Sequence, residues 1–265
     1  MNKRDKHTKL IIDGSLERLR IHIAPVGFEV DRIVLPVENM KADRVWLIVH
    51  NESKEDAGQP FSKLITESLK ERRIELRLQS ADRTDLFDTL RVLRKIIFEE
   101  ANNAIFINVS SGSKIQSIAS MMACMIFKDR VDITPYYAVP EKYTTIPREQ
   151  ETVGVKKILK LPEYKIQTPP DNLIKCLEII HQWKNYRISN KDLRDQALEK
   201  KLIHVERHEH REQSAYMALK TNLLEPLLKW QYIRVEKIGR RHDIILTPEG
   251  LNVLKFLYTE ETLDQ

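Results

Sequence analysis

The sequence predicts two domains: an α/β domain built on a parallel sheet, then a smaller, mostly helical domain that contains a β-hairpin. Three observations support this prediction. Short runs rich in Ile, Val and Leu alternate with longer runs of helical spacing between residues 19 and 138. Residues 141–170 contain four prolines and one short apolar run, which indicates an edge strand and a linker. From residue 171 the pattern is helical, interrupted by a single hairpin.

The alternation in the N-terminal part is typical of repeated βαβ units. Five segments are short and rich in branched apolar residues, namely 19–24, 44–50, 74–79, 104–109 and 131–138. The segments 61–72 and 86–102 between them carry apolar residues at helical spacing. Because crossover helices pack back onto the strands they connect, this order predicts a parallel sheet with helices on both faces. We therefore expect a Rossmann-like domain over residues 19–140, preceded by a leader at residues 1–18.

The segment 141–170 is expected to add an edge strand at residues 153–161 and then to serve as a linker. The sequence Thr-Pro-Pro-Asp at residues 168–171 marks the boundary, since the residue before a proline avoids the helical region. The second domain is then predicted to run from residue 171 to residue 265.

Three helices, a hairpin and a final helix follow each other in this second domain. We expect the first helix to be capped by Asp171, the second by Ser189 or Asn190, and the third by Ser214. The hairpin turn is predicted at residues 239–242. The stretch WQYIRVEKIGRRHDIILTPEGLNVL at residues 230–254 resembles the wing region of winged-helix transcription regulators, and this resemblance extends over roughly residues 171–258.

A winged helix binds DNA through its third helix and its wing, so polar and basic residues there are candidates for DNA contact. The candidates are Arg211, Gln213, Tyr216, Lys220, Thr221, Arg240, Arg241 and His242. Against DNA binding, residues 171–265 hold 16 basic and 15 acidic side chains, a net charge of +1. A module that contacts other proteins instead of DNA is therefore the alternative.

Three histidines, His204, His208 and His210, lie just before the third helix. Neither a cysteine nor a strong set of carboxylates accompanies them, so we expect a solvated polar turn and no metal site.

The loops after the first and fourth strands are the candidate ligand site of the N-terminal domain. In an open parallel sheet, ligands bind beyond the carboxyl ends of the strands where the winding direction reverses, here between these two strands. The first strand leads into Pro-Val-Gly-Phe-Glu at residues 25–29, and the fourth into Ser-Ser-Gly-Ser-Lys at residues 110–114. Gly112 permits a close backbone approach, the serines offer hydroxyls, and Lys114 offers a charge at a helix start.

These features predict a site for a phosphate or nucleotide anion. The spacing is neither that of a Walker A loop nor that of a dinucleotide-binding fingerprint. A helix N-cap without any ligand is the alternative.

The sequence NVSSGSK at residues 108–114 resembles the Asn-x-(Ser/Thr)-Gly-Gly-(Ser/Thr)-Lys signature of CRISPR-associated Rossmann-fold (CARF) domains. Ser111 stands where that signature has its first glycine. A CARF domain followed by a winged helix is the layout of archaeal CRISPR-associated transcription regulators. In addition, RIHIAPVGFEVDRIVLPVENMKADRVWLI at residues 20–48 is similar to the opening of a related archaeal regulator family.

The resemblance implies a homodimer in which two such loops face each other around a cyclic oligoadenylate, which would be a regulatory ligand and not a cofactor. The ligand-binding residues that the resemblance implies are Asn108, Ser110, Gly112, Ser113 and Lys114, and more weakly Gly27 and Phe28 from the first loop. Ser111, which departs from the signature, is a further candidate through its hydroxyl. The expected function is a ligand-responsive, DNA-binding transcription regulator, with a hinge at residues 163–170 that couples its domains. The alternatives are a ring nuclease that cleaves its cyclic ligand and a dimeric interaction module. For a nuclease the sequence offers no clear general base, since His22 lies within a strand and His50 ends a different one.

The composition is that of a folded, soluble protein: 42% of the 265 residues are hydrophobic and 31% are charged. The longest uncharged apolar stretch, residues 115–127, is shorter than the roughly 20 residues that span a membrane, and the basic start lacks the apolar core of a signal peptide. With Cys124 and Cys176 as its two cysteines, the sequence predicts a cytoplasmic protein without a disulfide framework. A net charge of +5 is compatible with a polyanionic partner but does not require one.

Overall fold

The computed structural model describes residues 18–50, 57–144, 150–205, 211–239 and 241–257. The chain divides into two compact units, with the division between Ile166 and Gln167. Residues 1–17 of the expected leader lie outside the described residues.

Twelve elements form the described part of the N-terminal unit. In chain order they are β1 (Arg20–Pro25), α1 (Asp31–Asn39), β2 (Arg44–His50), α2 (Gln59–Glu71), β3 (Glu75–Ala81), α3 (Leu86–Glu99), β4 (Ala104–Asn108), α4 (Lys114–Phe127), β5 (Ile133–Val139), β6 (Lys142–Tyr143), β7 (Thr152–Val153) and β8 (Lys157–Lys160).

The central sheet has the strand order β3-β2-β1-β4-β5-β8. The first five strands are parallel, and β8 pairs antiparallel with β5 at the edge. Right-handed crossovers place α1 and α2 on one face and α3 and α4 on the other. Ile21, Ile23 and Leu47 are fully buried between these layers. The predicted Rossmann-like fold is confirmed, and the winding reverses between β1 and β4 as expected.

Helix α1 was not predicted from the sequence. Its inward face consists of Ile33, Val34 and Val37, but it has nine residues and contains Pro36. A proline inside a helix removes the N–H group that would bond to the carbonyl four residues earlier. In α1 this carbonyl belongs to Arg32, and the side chain of the last residue of β4, Asn108, supplies the missing donor.

Residues 141–166 belong to the N-terminal unit. Strand β8 lies within the predicted edge strand at residues 153–161, whereas β6 and β7 form a separate small hairpin. Between β6 and β7, the side-chain Oε1 of Gln150 accepts hydrogen bonds from the N–H groups of Val30 and Asp31, at 3.1 and 3.2 Å. The segment expected to be mainly a linker therefore caps the start of α1.

The C-terminal unit has the order of a winged helix. Its elements are α5 (Asp171–His181), a 3-10 turn (Lys184–Tyr186), β9 (Arg187–Ser189), α6 (Asn190–Glu199), α7 (Arg211–Leu219), a π-helical turn (Lys220–Leu224), α8 (Glu225–Lys229), β10 (Ile233–Ile238), β11 (Arg241–Leu246) and α9 (Pro248–Leu257). The wing sheet has three strands in the order β10-β11-β9, so β9 adds a strand that was not predicted.

Two of the predicted helix caps are wrong. Ser214 is the fourth residue of α7, so it lies inside the helix that it was expected to cap. The N-cap of α5 is Pro170, and Asp171 is its first helical residue. The prediction for α6 is confirmed for Ser189, whose hydroxyl accepts from the N–H of Asp192 at 3.1 Å.

The predicted turn at residues 239–242 is too long. Ile238 pairs with Arg241, so Arg241 and His242 are residues of strand β11. Gly239 adopts a φ of +62°, which a glycine reaches without strain in such a tight turn.

Candidate functional site

The loops that follow β1 and β4 touch at the point where the sheet reverses its winding. A Cβ atom on Gly27 would lie 3.1 Å from both the N and the Cα of Gly112. Gly112 itself has a φ of +79°, and a Cβ there would lie 2.5 Å from the Cβ of Pro25. Glycine is therefore required at position 112, and at position 27 a larger residue would press against the backbone of Gly112. The sequence predicts that both loops lie at the crevice between the first and fourth strands, and in the structure they are in contact.

Asn108 and Ser110 point into the protein and hold the second loop in place. Asn108 is completely buried, and its Nδ2 donates to the carbonyl of Arg32 at 2.8 Å. This is the carbonyl that Pro36 leaves without a helical donor. The Oδ1 of Asn108 accepts from both the N–H and the hydroxyl of Ser110, at 2.9 and 2.5 Å. The Ser110 hydroxyl also accepts from the N–H of Ala138 at 3.1 Å. Both side chains have clear structural roles.

Ser113 begins α4 with a capping box. Its hydroxyl accepts from the N–H of Gln116 at 3.1 Å, and the Gln116 side chain accepts from the N–H of Ser113 at 3.0 Å. The Ser113 hydroxyl also donates to the carbonyl of Arg83 at 2.7 Å, which ties the loop after β3 to this helix start. The helix-cap interpretation of this loop thus holds for Ser113, beside any role in binding.

Ser111, Lys114 and Phe28 complete the set of predicted ligand residues. Ser111 is buried, and its hydroxyl has no hydrogen-bond partner among the residues that the structure describes. Lys114 is exposed in the first turn of α4. Phe28 is half-buried and packs edge-on against Phe61, with ring centroids 5.6 Å apart. Lys114 is therefore the predicted residue best placed to meet an anion from solvent.

A buried ion pair beside these loops was missed in the sequence. The Glu29 carboxylate accepts from the hydroxyl of Thr152 and lies 3.4 Å from Nη1 of Arg32. The Nε of Arg32 donates to the carbonyl of Ala138 at 2.9 Å, and its guanidinium lies over the Tyr137 ring. Burial raises the pKa of Glu29, although Thr152 and Arg32 oppose this rise. The spacing of Glu29 and Arg32, three residues apart at a helix start, was the available signal.

Two histidines belong to strands of the sheet, His22 within β1 and His50 at the carboxyl end of β2, and they differ in their surroundings. His22 is fully buried, with Nδ1 3.2 Å from the Tyr136 hydroxyl, and burial together with Arg20 lowers its pKa to about 3. His50 accepts at Nδ1 from the N–H of Arg83 at 3.3 Å. Since the Arg83 carbonyl bonds to Ser113, His50 is connected to the ligand loop by two hydrogen bonds, which its position in the sequence did not reveal.

In the winged helix unit, four of the predicted DNA-binding residues on or after α7 are exposed: Arg211, Gln213, Lys220 and Thr221. Lys220 lies 3.8 Å from the carboxylate of Glu225.

Tyr216 is only half-exposed, because the guanidinium of Arg194 on α6 lies 4.5 Å from its ring centroid. Arg194 is itself buried and pairs with Asp195 at 2.6 Å. Tyr216 therefore contributes to the packing of α6 on α7.

In the wing, Arg241 Nε donates to the buried carboxylate of Asp243 at 2.5 Å, so this arginine has a structural partner that the sequence did not predict. Arg187 of β9 lies 3.7 Å from the same carboxylate. His242 is exposed, and Arg240 lies outside the described residues.

His204 is exposed. His208 and His210 lie outside the described residues. Within the described ranges, no three His, Cys, Asp or Glu side chains come together as metal ligands. In the same part of the chain, no helix is long and apolar enough to cross a membrane.

Two family models match the chain, one in each unit. Residues 20–143 match the family described as HFX_2341_N-like, N-terminal, and residues 172–258 match the DUF6293 C-terminal winged helix domain. An uncharacterized protein of Methanocaldococcus jannaschii is 36% identical over 154 residues, which cover 54% of this chain and 45% of the relative. The match thus spans less than half the length of this relative.

Among solved structures, Can2 from Sulfobacillus thermosulfidooxidans in complex with cyclic tetra-adenylate aligns with a TM-score of 0.39 and 15% identity, over 89% of this chain and 63% of Can2. Csm6 from Enterococcus italicus bound to cyclic hexa-2'-fluoro-hexa-dAMP aligns with a TM-score of 0.41 and 13% identity, over 81% of this chain and 56% of Csm6. The chain spans less than two thirds of either structure.

The predicted combination of a Rossmann-like domain and a winged helix agrees with the two family matches and with the observed topology. The two matches thus fall on separate parts of the chain, one on the Rossmann-like unit and one on the winged helix unit.

Proposed function

We propose that this chain is a homodimeric transcription regulator whose N-terminal domain senses a nucleotide second messenger and whose winged helix binds double-stranded DNA. The observation that carries the proposal is the contact between Gly27 and Gly112, which forms a two-loop site at the switch point with Lys114 exposed beside it. The same chain holds a winged helix domain. A sensory site and a DNA-binding fold in one chain favour a ligand-responsive regulator.

The proposed ligand is a cyclic oligoadenylate. Its phosphodiesters are anions, which suit the N-terminus of a 14-residue helix and an exposed ammonium group. The ring is symmetric, so a two-fold dimer that brings two copies of residues 108–114 together would contact it equally from both sides. The choice of adenylate rests on the resemblance of residues 108–114 to the CARF signature.

Calorimetric titration with cyclic tetra-adenylate and cyclic hexa-adenylate tests the ligand. We expect Lys114→Ala to weaken binding by about 10- to 100-fold, since a charge-assisted hydrogen bond contributes about 1.5–3 kcal/mol. Lys70→Ala is the matched control. Lys70 is an exposed lysine in the last turn of α2, which lies near the amino ends of the strands and not near the ligand loops. If the unmutated protein binds neither ring, the proposed ligand class is wrong.

Salt-resolved gel shifts test DNA binding. The first DNA to test is the promoter beside the protein's own gene. Within it, the expected operator is a two-fold pseudo-palindrome, because a dimer binds two half-sites. If Arg211 contacts a phosphate, Arg211→Ala should weaken binding to all duplexes and reduce the salt slope by about 1. If Gln213 contacts a base, Gln213→Ala should reduce the difference in binding free energy between operator and random DNA by about 1–3 kcal/mol. Lys175→Ala, a change of an exposed lysine on α5, should alter neither property. A protein without duplex affinity at low salt, with or without ligand, would be a protein-contact module.

A ring nuclease is the second candidate, favoured by the hydrogen-bonded link from His50 through Arg83 to Ser113. Chromatography of the cyclic ligand after incubation with the protein separates the two functions. Linear products that disappear in Lys114→Ala and His50→Ala would favour the nuclease, whereas an unchanged ligand favours the sensor.

A further inference from the structure

Helix α4 connects the proposed ligand site to the end of the N-terminal unit. It begins at Lys114, directly after the Ser113 cap, and ends at Phe127. At 1.5 Å per residue, its 14 residues span about 21 Å. The helix therefore runs from the ligand loop, at the carboxyl ends of the parallel strands, towards the amino ends of these strands.

The chain segment that leads to the second unit is fastened to the far end of this helix. The N–H of Ile166 donates to the carbonyl of Met125 at 3.2 Å. This carbonyl belongs to the last turn of α4, where carbonyls have no partner within the helix. Lys165 forms an ion pair with Asp129, which follows the helix after one intervening residue.

Glu163 makes the most buried of these contacts. Its side chain is 10% exposed and pairs with Lys128, the C-cap of α4, and with Lys160 at 3.3 Å. Burial by itself would raise the pKa of Glu163, but the two ammonium groups outweigh burial and hold the pKa below its usual value. The carboxylate is thus charged and paired at neutral pH. Residues 163–166, which we call the strap, are fixed on α4 by backbone and side-chain contacts together.

Two further features suit α4 for the transmission of a small movement. The buried side of the helix includes the small residues Ala119, Ser120 and Ala123. Small sliding movements of packed helices are a common element of allosteric transitions. Beyond the strap, residues 167–170 alone precede α5, and two of these four are prolines with a fixed φ.

We infer that Glu163 and Lys165 are positioning residues, which hold the strap on the end of α4 so that a shift of this helix on ligand binding reaches the winged helix domain. This inference rests on the proposed function and specifies how its two sites communicate. The sequence predicts a hinge at residues 163–170. With the strap fixed on α4, residues 163–166 do not act as a hinge, and residues 167–170 are a short connection to α5 that is stiffened by two prolines.

The test measures the affinity for operator DNA with and without saturating cyclic tetra-adenylate, and takes the ratio of the two dissociation constants. Coupling between two sites typically changes an affinity by about 5- to 150-fold, so we expect a ratio in that range for the unmutated protein. In Glu163→Gln and in Lys165→Asp the ratio should fall below about 2-fold, while the affinity for each ligand alone stays within about 3-fold.

Two further proteins exclude a general loss of structure. Asp129→Lys combined with Lys165→Asp reverses the ion pair and should restore the ratio. Arg18→Gln is the matched control, because it breaks an ion pair of the same unit, Arg18 with Asp132 at 2.7 Å, whose partners are similarly exposed. Its ratio should equal that of the unmutated protein.

Each result is decisive. A ratio that survives in Glu163→Gln and Lys165→Asp overturns the role of the strap and leaves the proposed function intact. A reversed pair that fails to restore the ratio also overturns it. An unmutated protein whose DNA affinity does not respond to the ligand overturns the proposed function, and with it this inference.

Discussion

Replacement of Gly112 by alanine should destabilise the N-terminal unit more than the same change at Gly154. Both glycines have a positive φ, +79° and +69°. An alanine at either position should therefore lower the stability by about 1–2 kcal/mol, because it must adopt a left-handed backbone. At Gly112 the new Cβ would also lie 2.5 Å from the Cβ of Pro25, a ring atom that cannot turn away. At Gly154 the nearest atoms, at 2.8 Å, end the flexible and exposed side chain of Glu141.

Overpacking against a rigid neighbour costs about 1–3 kcal/mol, so we expect a total of about 2–5 kcal/mol for Gly112→Ala and about 1–2 kcal/mol for Gly154→Ala. Urea unfolding followed by tryptophan fluorescence measures both, in a background with Trp183 and Trp230 replaced by phenylalanine. The remaining Trp46 lies in β2 and is buried, so it reports on the N-terminal unit. Equal losses of stability in the two variants would refute the close approach of the loops after β1 and β4.

Three further predictions concern stability. Because burial lowers the pKa of His22 from 6.5 to about 3, the unfolded chain takes up a proton between these values that the folded protein does not. As the pH is lowered through this window, the free energy of unfolding should therefore decrease, by up to about 1.4 kcal/mol per pH unit from His22 alone. His22→Phe removes this contribution, which urea titrations between pH 7 and 4 measure; equal pH slopes in both proteins would contradict it. Asn108→Ala leaves the Arg32 carbonyl without its donor and should cost about 2–4 kcal/mol in the same assay, whereas a cost below about 1 kcal/mol would contradict that role. Ser189→Ala removes the cap of α6 and should cost about 1 kcal/mol, while Ser189→Thr keeps a hydroxyl that accepts from the N–H of Asp192 and donates to its carboxylate, and should melt near the unmutated temperature.

The fold could be predicted because its strands and most of its helices are local patterns. Strand β2 has the predicted bounds, and the other four parallel strands differ from prediction by two residues or fewer at each end. The contact of the two ligand loops could also be predicted, because it follows from the topology of the sheet and needs glycines that the sequence displays. Short elements were missed because they are too short to show a local pattern. Strand β9 has three residues, too few to show a period, and it is a strand because it pairs with β11.

Other parts of the site could not be predicted because they depend on partners far away in the chain. Thr152 bonds to the Glu29 carboxylate, and Gln150 caps α1, from a segment whose prolines indicated a linker. Arg241 was chosen as a DNA contact because it follows a turn glycine. Its partner, the buried carboxylate of Asp243, is two residues away, and a strand places both side chains on the same face. Composition alone does not distinguish an arginine that meets phosphate from one that neutralises a carboxylate.

The role of Asn108 depends on such a distant partner. Pro36 has no N–H group, so the carbonyl of Arg32 lacks the donor that a continuous helix would supply. The amide of Asn108 provides it, and the same side chain fixes Ser110 through two hydrogen bonds. An asparagine is suited to this position because it donates and accepts at once, which neither aspartate nor leucine of similar size can do. The first residue of the CARF-like signature is therefore explained by the fold, without a ligand. It follows that loss of binding in an Asn108 variant would report a displaced loop, and that Lys114, exposed and outside this network, is the residue whose replacement tests binding itself.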